Sequence, residues 1–281
     1  MKSLENIAQR LIVNGTLTEQ PGLFYGKIGI AIFFFHYARF TGNELFEDYA
    51  MDLIEEVQKQ MNTTKIPLRY DIGLSGIGAG YEYMLQNGFL EVEDSDIFNE
   101  FDDRMYRAAM YEWYPNLNLP EGLTGWGRYF IYRIQGNGQR NAKLHEALIH
   151  IVQEMAQKIV ENKVLESEQL DAYRFLHDVT SLPGFTDRYS KIIQKCREWK
   201  CVNKPDTQKA FPYMGNLQRL YTCQKYFNMD LSKEIGQEWK KWEDMGNLFS
   251  IDMGLLKGLT AEAMLHWSFV NQQNTTWINL L

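Results

Sequence analysis

The chain has 281 residues, 45% hydrophobic and 23% charged, and a formal net charge of −7. An acidic chain without a Lys/Arg cluster excludes a nucleic-acid partner, whose phosphates need a basic face. The longest strongly apolar run, Ile28 to Ala38 between Lys27 and Arg39, is too short to span a bilayer, which predicts a protein without a membrane anchor.

The chain opens on MKSLENIAQRLIVNG. Leu4, Ile7, Ala8, Leu11 and Ile12 fall on one helical face, and Glu5 and Arg10 interrupt any signal-peptide core. An amphipathic helix is expected here. Next comes GLFYGKIGIAIFFFHYARFTGNELFEDYA, Gly22 to Ala50. It holds an apolar helix over Ile28 to Phe40, a turn at Thr41-Gly42-Asn43, and a second helix. In that second helix Leu45, Phe46, Tyr49, Ala50, Leu53, Ile54, Val57 and Met61 make one apolar stripe.

The pattern recurs. Gly22-Leu23 with Gly26, Gly73-Leu74-Ser75-Gly76 and Gly122-Leu123-Thr124-Gly125 start 51 and 49 residues apart. Gly254-Leu255 with Gly258 is a last copy. The gap between the third and the last has room for two units without the glycines, at Gln169 to Ser181 and at Phe211 to Phe227. Turns are expected at Asn87-Gly88 and Gly136-Asn137-Gly138, and Leu144, Leu148, Ile151, Met155 and Ile159 form another stripe. Helices that are apolar all round are buried, and striped ones cover them. Period-two alternation is absent, so strands are not expected. The expected architecture is all-α: one domain over 1–281, an α/α toroid of six inner and six outer helices closed by the N-terminal helix. The glycines either let inner helices crowd together or bare the floor of a pocket.

These units resemble the lanthionine synthetase C-like family, the cyclases of lantibiotic maturation. The resemblance rests on the first repeat, on RYDIGLSGIGAGYEYML from Arg69 to Leu85, on GLTGWGRYFIYRI from Gly122 to Ile134, and on GLLKGLTAEAML from Gly254 to Leu265. It implies the toroid fold. Active members of the family hold zinc with two cysteines and a histidine, in Trp-Cys-Tyr-Gly and Cys-His-Gly segments. Here those slots read Pro212-Tyr213-Met214-Gly215 and Leu256-Lys257-Gly258. The family's Ala-His-Gly segment reads Leu123-Thr124-Gly125, and only Tyr70-Asp71 matches a family segment. The resemblance therefore implies a relative with no metal or other cofactor and no cyclase activity.

Cys196, Cys201 and Cys223 are odd in number, and no CxxC occurs, so a disulfide framework is not expected and a cytoplasmic setting is. His36, His145, His150, His177 and His266 form no zinc-type spacing with them. Acids precede three helix entrances: Asp71, Glu121 and Asp252. They fit helix capping, or a carboxylate pair acting on a glycosidic bond. Tyr25, Tyr81, Trp126, Tyr129 and Tyr213 suit sugar stacking or core filling. Lys27, Arg128 and Lys257 are read at one common depth, either binding an acidic ligand group or pairing with the three acids. The polar tail Asn271 to Asn279 is expected outside the ring. Two functions follow. One is a zinc-less cyclase-like protein that binds a peptide or small ligand in the central funnel and works beside a peptide-modifying enzyme. The other is a glycoside hydrolase or lyase acting on an oligosaccharide.

Overall fold

The computed structural model describes residues 2–91, 97–114, 116–136, 141–185, 189–244, 252–271 and 274–281. The fold is all-α, and among the described residues the sole β feature is an isolated bridge between Met253 and Gly258. Part of the expected turn at Gly136-Asn137-Gly138, together with Gln272 and Gln273 of the tail, lies outside the described residues.

Helix α1 (Lys2–Gly15) buries Leu4, Ile7, Ala8 and Leu11 of the expected stripe and half-buries Ile12. Helix α2 (Lys27–Thr41) is buried at every position from Lys27 to Ala38. It stops at Gly42, whose φ of 69° is left-handed and whose N–H closes on the Ala38 carbonyl. Asn43 then caps helix α3 (Glu44–Thr63) by accepting from the Leu45 N–H, and α3 buries Ala50, Leu53, Ile54 and Val57 against α2.

The alternation continues. Helices α4 (Leu74–Gln86) and α6 (Leu123–Gln135) are buried nearly throughout. Helices α5 (Ile97–Tyr111) and α7 (Ala142–Val160) are amphipathic, and in α7 Leu144, Leu148, Ile151, Met155 and Ile159 are all buried. Helix α8 (Gln169–Thr180) and helix α11 (Asn216–Phe227) occupy the two stretches that lack the glycine pattern. Between them two short helices, α9 (Ser190–Cys196) and α10 (Lys200–Asn203), stand where one long helix is expected. They bury only Ile193, Cys196 and Val202, too little apolar surface to hold a continuous striped helix in place. Helix α12 (Ser232–Asp244) and helix α13 (Leu259–Val270) complete the set. Helix α2 packs on α4, α4 on α6 and α6 on α8, while α13 packs on α2 and α1 lies against both α13 and α2.

Each glycine-marked helix begins in the same way. The first helical N–H donates to the carbonyl seven residues earlier: Lys27 to Gln20 at 2.9 Å, Leu74 to Pro67 at 2.8 Å, Leu123 to Asn116 at 3.0 Å and Leu259 to Asp252 at 2.7 Å. The loop before the helix folds back tightly enough to satisfy this N–H with backbone alone. A hydroxyl repeats the contact one residue on: Ser75 donates to the Leu68 carbonyl and Thr124 to the Leu117 carbonyl.

This geometry resets the repeat. The equivalent caps are Gly26, Gly73, Gly122 and Gly258, so Gly22 and Gly254 are not partners of Gly73. The fold-back also explains the glycines. A Cβ at Gly76 would sit 1.7 Å from the Tyr70 carbonyl oxygen, and one at Gly125 would sit 2.4 Å from that of Leu119. These glycines press on the chain's own backbone, which favours the packing explanation over a pocket floor.

Two alanine substitutions separate these effects. Gly76→Ala is expected to cost at least about 2 kcal/mol, because its clash is with backbone that cannot move aside. Gly236→Ala, on α12 with nothing within 4 Å, is expected to gain about 0.5–1 kcal/mol. Urea unfolding of the two variants beside the parent measures both.

Candidate functional site

The loops that enter the buried helices lie side by side and bond to one another. Leu255 N–H donates to the Phe24 carbonyl at 2.8 Å, and Phe24 N–H to the Asp71 carbonyl at 2.8 Å. Tyr70 N–H donates to the Pro120 carbonyl at 2.9 Å. The Leu119 N–H then reaches the Asp171 carboxylate at 2.9 Å, and Tyr213 donates its hydroxyl to the same carboxylate at 2.5 Å. Lys257 closes the series by donating to the Pro212 carbonyl at 3.2 Å.

Asp71 and Glu121 meet at this end, joined by a residue that sequence reasoning passed over. Arg69 holds Asp71 by two hydrogen bonds, Nε to Oδ1 at 2.9 Å and Nη2 to Oδ2 at 2.5 Å. The same Nη2 lies 2.8 Å from Glu121 Oε1. Neither acid caps its helix: the caps are Gly73 and Gly122, with no side-chain cap bond, and the backbone N–H that Asp71 accepts is that of Ile72, ahead of α4. Asp252 occupies a different position in its loop. It corresponds to Pro67 and Asn116, and its carbonyl accepts the first N–H of α13. Tyr25 is partly exposed among these groups, and its phenol is raised by burial and then by the charge of Asp71. The Arg69 to Glu121 pair is open to solvent on both sides and adds little stability.

The three predicted cations are not at one depth, and none pairs with the three acids. Lys27 is the first residue of α2 and turns to Glu56 on α3. Lys257 lies in the loop before α13. Arg128 sits in the middle of α6 and is buried. Its position in the repeat differs from the other two because the helices start four residues later than the glycine count implies. Tyr81 and Trp126 turn to other neighbours. Tyr81 faces a cavity of about 350 Å³ walled by Gln58, Met61, Phe101 and Arg104, where its hydroxyl makes no hydrogen bond although Gln58 lies beside it. Trp126 packs edge-on against Tyr114. Tyr213 remains near the entrances, bonded to Asp171.

Buried helices and the end of the chain meet at a different site. A 3-10 turn, Thr276–Leu280, brings part of the polar tail inside rather than outside: Trp277, Ile278, Leu280 and Leu281 are all buried. The expected exposure of this stretch fails because its apolar residues come in two pairs, Trp277-Ile278 and Leu280-Leu281, which bury while Asn279 between them finds partners. Three successive main-chain oxygens are each taken by a side chain from a different part of the fold. Arg128 Nη1 donates to Asn279 O at 2.9 Å, Tyr70 donates its hydroxyl to Leu280 O at 3.0 Å, and Arg174 on α8 donates to Leu281 O. Lys225 on α11 donates to the Asn279 side-chain oxygen at 2.9 Å, and the Trp277 indole N–H donates to Ser268 on α13 at 2.9 Å.

Arg128 is paired beside this segment. Arg128 Nη2 lies 2.9 Å from Asp178, which also accepts the Tyr226 hydroxyl at 2.7 Å. Burial opposes ionisation of both groups, but their mutual attraction prevails: Arg128 is raised above and Asp178 lowered below its ordinary value. Burial also lifts the Tyr70 phenol to about 12 and raises Asp171.

A second buried cluster was not anticipated either. Arg133 on α6 binds Asp102 on α5 at 2.8 Å and Glu82 on α4 at 2.6 Å, and Tyr129 donates to Asp102 at 2.5 Å. A lone charge in an otherwise apolar helix, as in Gly-Tyr-Glu-Tyr-Met or Ile-Tyr-Arg-Ile, was the available signal. The cluster ties three helices together.

The cysteine thiols are poor ligands or nucleophiles as placed. Burial pushes Cys196 up to about 12 and Cys223 up to about 11, and raises Cys201. Among the described residues no group of three His, Cys, Asp or Glu side chains is arranged to hold a metal ion, and no helix is long and apolar enough to cross a membrane. No family model matches the chain, and no curated protein matches it significantly.

His36 gives this interior a pH dependence. It is buried against Trp267 and within 2.9 Å of the Tyr83 hydroxyl, and burial, aided by the Arg39 charge, lowers it to about 3. Between its unfolded value near 6.5 and that folded value, the unfolded chain binds the extra proton. The His36 contribution is therefore intact above pH 6.5 and is lost as pH falls, by about 1.4 kcal/mol per pH unit. Glu262, raised by burial to about 7, acts oppositely: it costs stability as pH climbs from 4.5 to 7. Urea unfolding at pH 7.5 and pH 5 is expected to show a smaller acid loss in His36→Gln than in the parent.

Proposed function

We propose that the hairpins close into an α/α toroid whose centre binds a peptide through its main chain, and that the protein is a zinc-less relative of lanthionine cyclases. On this reading it is an accessory to a peptide-modifying enzyme and not itself a cyclase. The observation that carries the proposal is the capture of three successive carbonyls, at 279, 280 and 281, by Arg128, Tyr70 and Arg174. Main-chain recognition of this kind holds a peptide whatever its side chains. The entry loops bonded from Leu255 through Phe24, Asp71 and Pro120, and onward to Asp171, Tyr213 and Lys257, support the closed ring. The free cysteines fit a reducing cytoplasm.

The test uses a fluorescent peptide with the sequence of Thr275–Leu281. Full-length Trp277→Ala, whose own segment has lost its anchor, is expected to bind the peptide with a Kd in the micromolar range, and more tightly than the parent. If Trp277→Ala does not fold, Leu280→Ala serves in its place. No binding up to about 1 mM would remove the peptide-binding reading.

A second reading, an oligosaccharide hydrolase, is favoured by one observation: Asp71 and Glu121 approach a single Arg69 nitrogen at 2.5 and 2.8 Å beside the partly exposed Tyr25. Release of reducing ends from a panel of polysaccharides tests it. Activity that survives unchanged in Glu121→Gln would leave the pair without a catalytic role.

A further inference from the structure

We infer that the central site prefers an acidic peptide, one with a carboxylate where the chain's own segment has Asn279. The inference rests on the peptide-binding reading above and names the class of ligand.

Two cations face Asn279, and a single carboxylate faces those cations. Lys225 Nζ lies 2.9 Å from Asn279 Oδ1 and 3.9 Å from Asp178 Oδ1. Arg128 divides itself between the Asn279 carbonyl and Asp178, at 2.9 Å each. The other titratable groups here do not restore balance. His177 stands 3.9 Å from Asp178, and Tyr226 donates its hydroxyl to that carboxylate. Asp171 is already occupied by the Leu119 N–H and the Tyr213 hydroxyl. Lys225 and Arg128 set against Asp178 therefore leave one positive charge in excess beside Asn279, whose side chain, like that of Lys225, is open to solvent.

A second, independent observation points the same way. Arg128 and Arg174 are 4% and 2% exposed, and the Nε of each is buried without a hydrogen-bond partner. Cationic donors left short of acceptors in a dry interior favour an anionic one. Space is available as well. Cavities of about 420 and 400 Å³ adjoin Thr276 and Asn279, and a third of about 530 Å³ is lined by His177, Arg197 and Tyr226. Lys225 is in the wall of all three. A carboxylate at this position would stand where the Asn279 side-chain oxygen now accepts from Lys225.

The experiment has two arms on the full-length chain. In the first, Asn279→Asp is expected to raise the thermal midpoint above that of the parent, and Asn279→Ala to lower it. The gain should shrink in high salt and disappear when Lys225→Gln is added. An Asn279→Asp midpoint at or below that of Asn279→Ala would overturn the inference, because it would mean that the site receives the carboxylate as an unpaired charge. In the second arm, the Thr275–Leu281 peptide and its counterpart with Asp for Asn279 are titrated into Trp277→Ala, or into Leu280→Ala if that variant fails to fold. The acidic peptide is expected to bind at least about tenfold more tightly. Equal binding of both peptides overturns the acid preference alone. Binding of neither overturns the peptide site itself.

Discussion

Everything in this fold hangs on how the chain enters its buried helices. A helix start leaves N–H groups without intrahelical partners, and a buried start cannot hand them to water. Here the preceding loop bends back until a carbonyl seven residues upstream accepts the first of them, as between Leu74 and Pro67. That fold-back brings backbone against backbone, so Gly76 and Gly125 have no room for a Cβ. With the N–H groups satisfied this way, no acidic cap is required, and Asp71 and Glu121 are left to share Arg69. The outer edges of the same loops then bond to the next loop along, which sets the spacing of the helices behind them.

The second constraint is charge in a dry interior. Arg128 and Arg133 both lie on α6, among residues that are otherwise apolar or aromatic. Each would be costly alone, and each is met by carboxylates from neighbouring helices: Asp178 for Arg128, Asp102 and Glu82 for Arg133. Buried ion pairs of this kind add little net stability, but they penalise any register in which partners miss one another. Arg133 thus fixes α4, α5 and α6 together at one side of α6. Arg128 does the same towards α8, and has donors left over for the segment from Thr276 to Leu281. The candidate site is the place where this polar interior was completed by main-chain carbonyls instead of by more carboxylates.

The helices were legible in the sequence because burial leaves a periodic trace. The stripe from Leu144 to Ile159 on α7 stands as read, and so does α8; the α3 stripe holds over Ala50 to Val57 while Leu45 is exposed, and α11 starts at Asn216 rather than at Phe211. The register of the repeat was not legible. Gly22 and Gly26 look alike in a sequence, and only the bond from Lys27 to Gln20 identifies Gly26 as the cap. That shift of four residues also separated Asp252 from Asp71, and Arg128 from Lys27 and Lys257. The tail was misread for a related reason. Between Asn271 and Asn279 the polar residues outnumber the apolar ones, yet Trp277 and Ile278 carry enough apolar surface to be buried once the polar groups have donors waiting.

The sequence by itself determined an all-helical chain of buried and striped helices, a set of glycine-marked entrances and an overall acidic charge. Those properties follow from local periodicity and composition, which a single segment carries. Tertiary structure alone decided that Arg69 joins Asp71 to Glu121, that Arg133 joins Asp102 to Glu82, and that Tyr70, Arg128 and Arg174 converge on one short segment. The reason is physical. Hydrogen bonds and ion pairs act over about 3 Å, and their partners here are up to 210 residues apart in the chain. Only the packing of the helices brings such groups within reach.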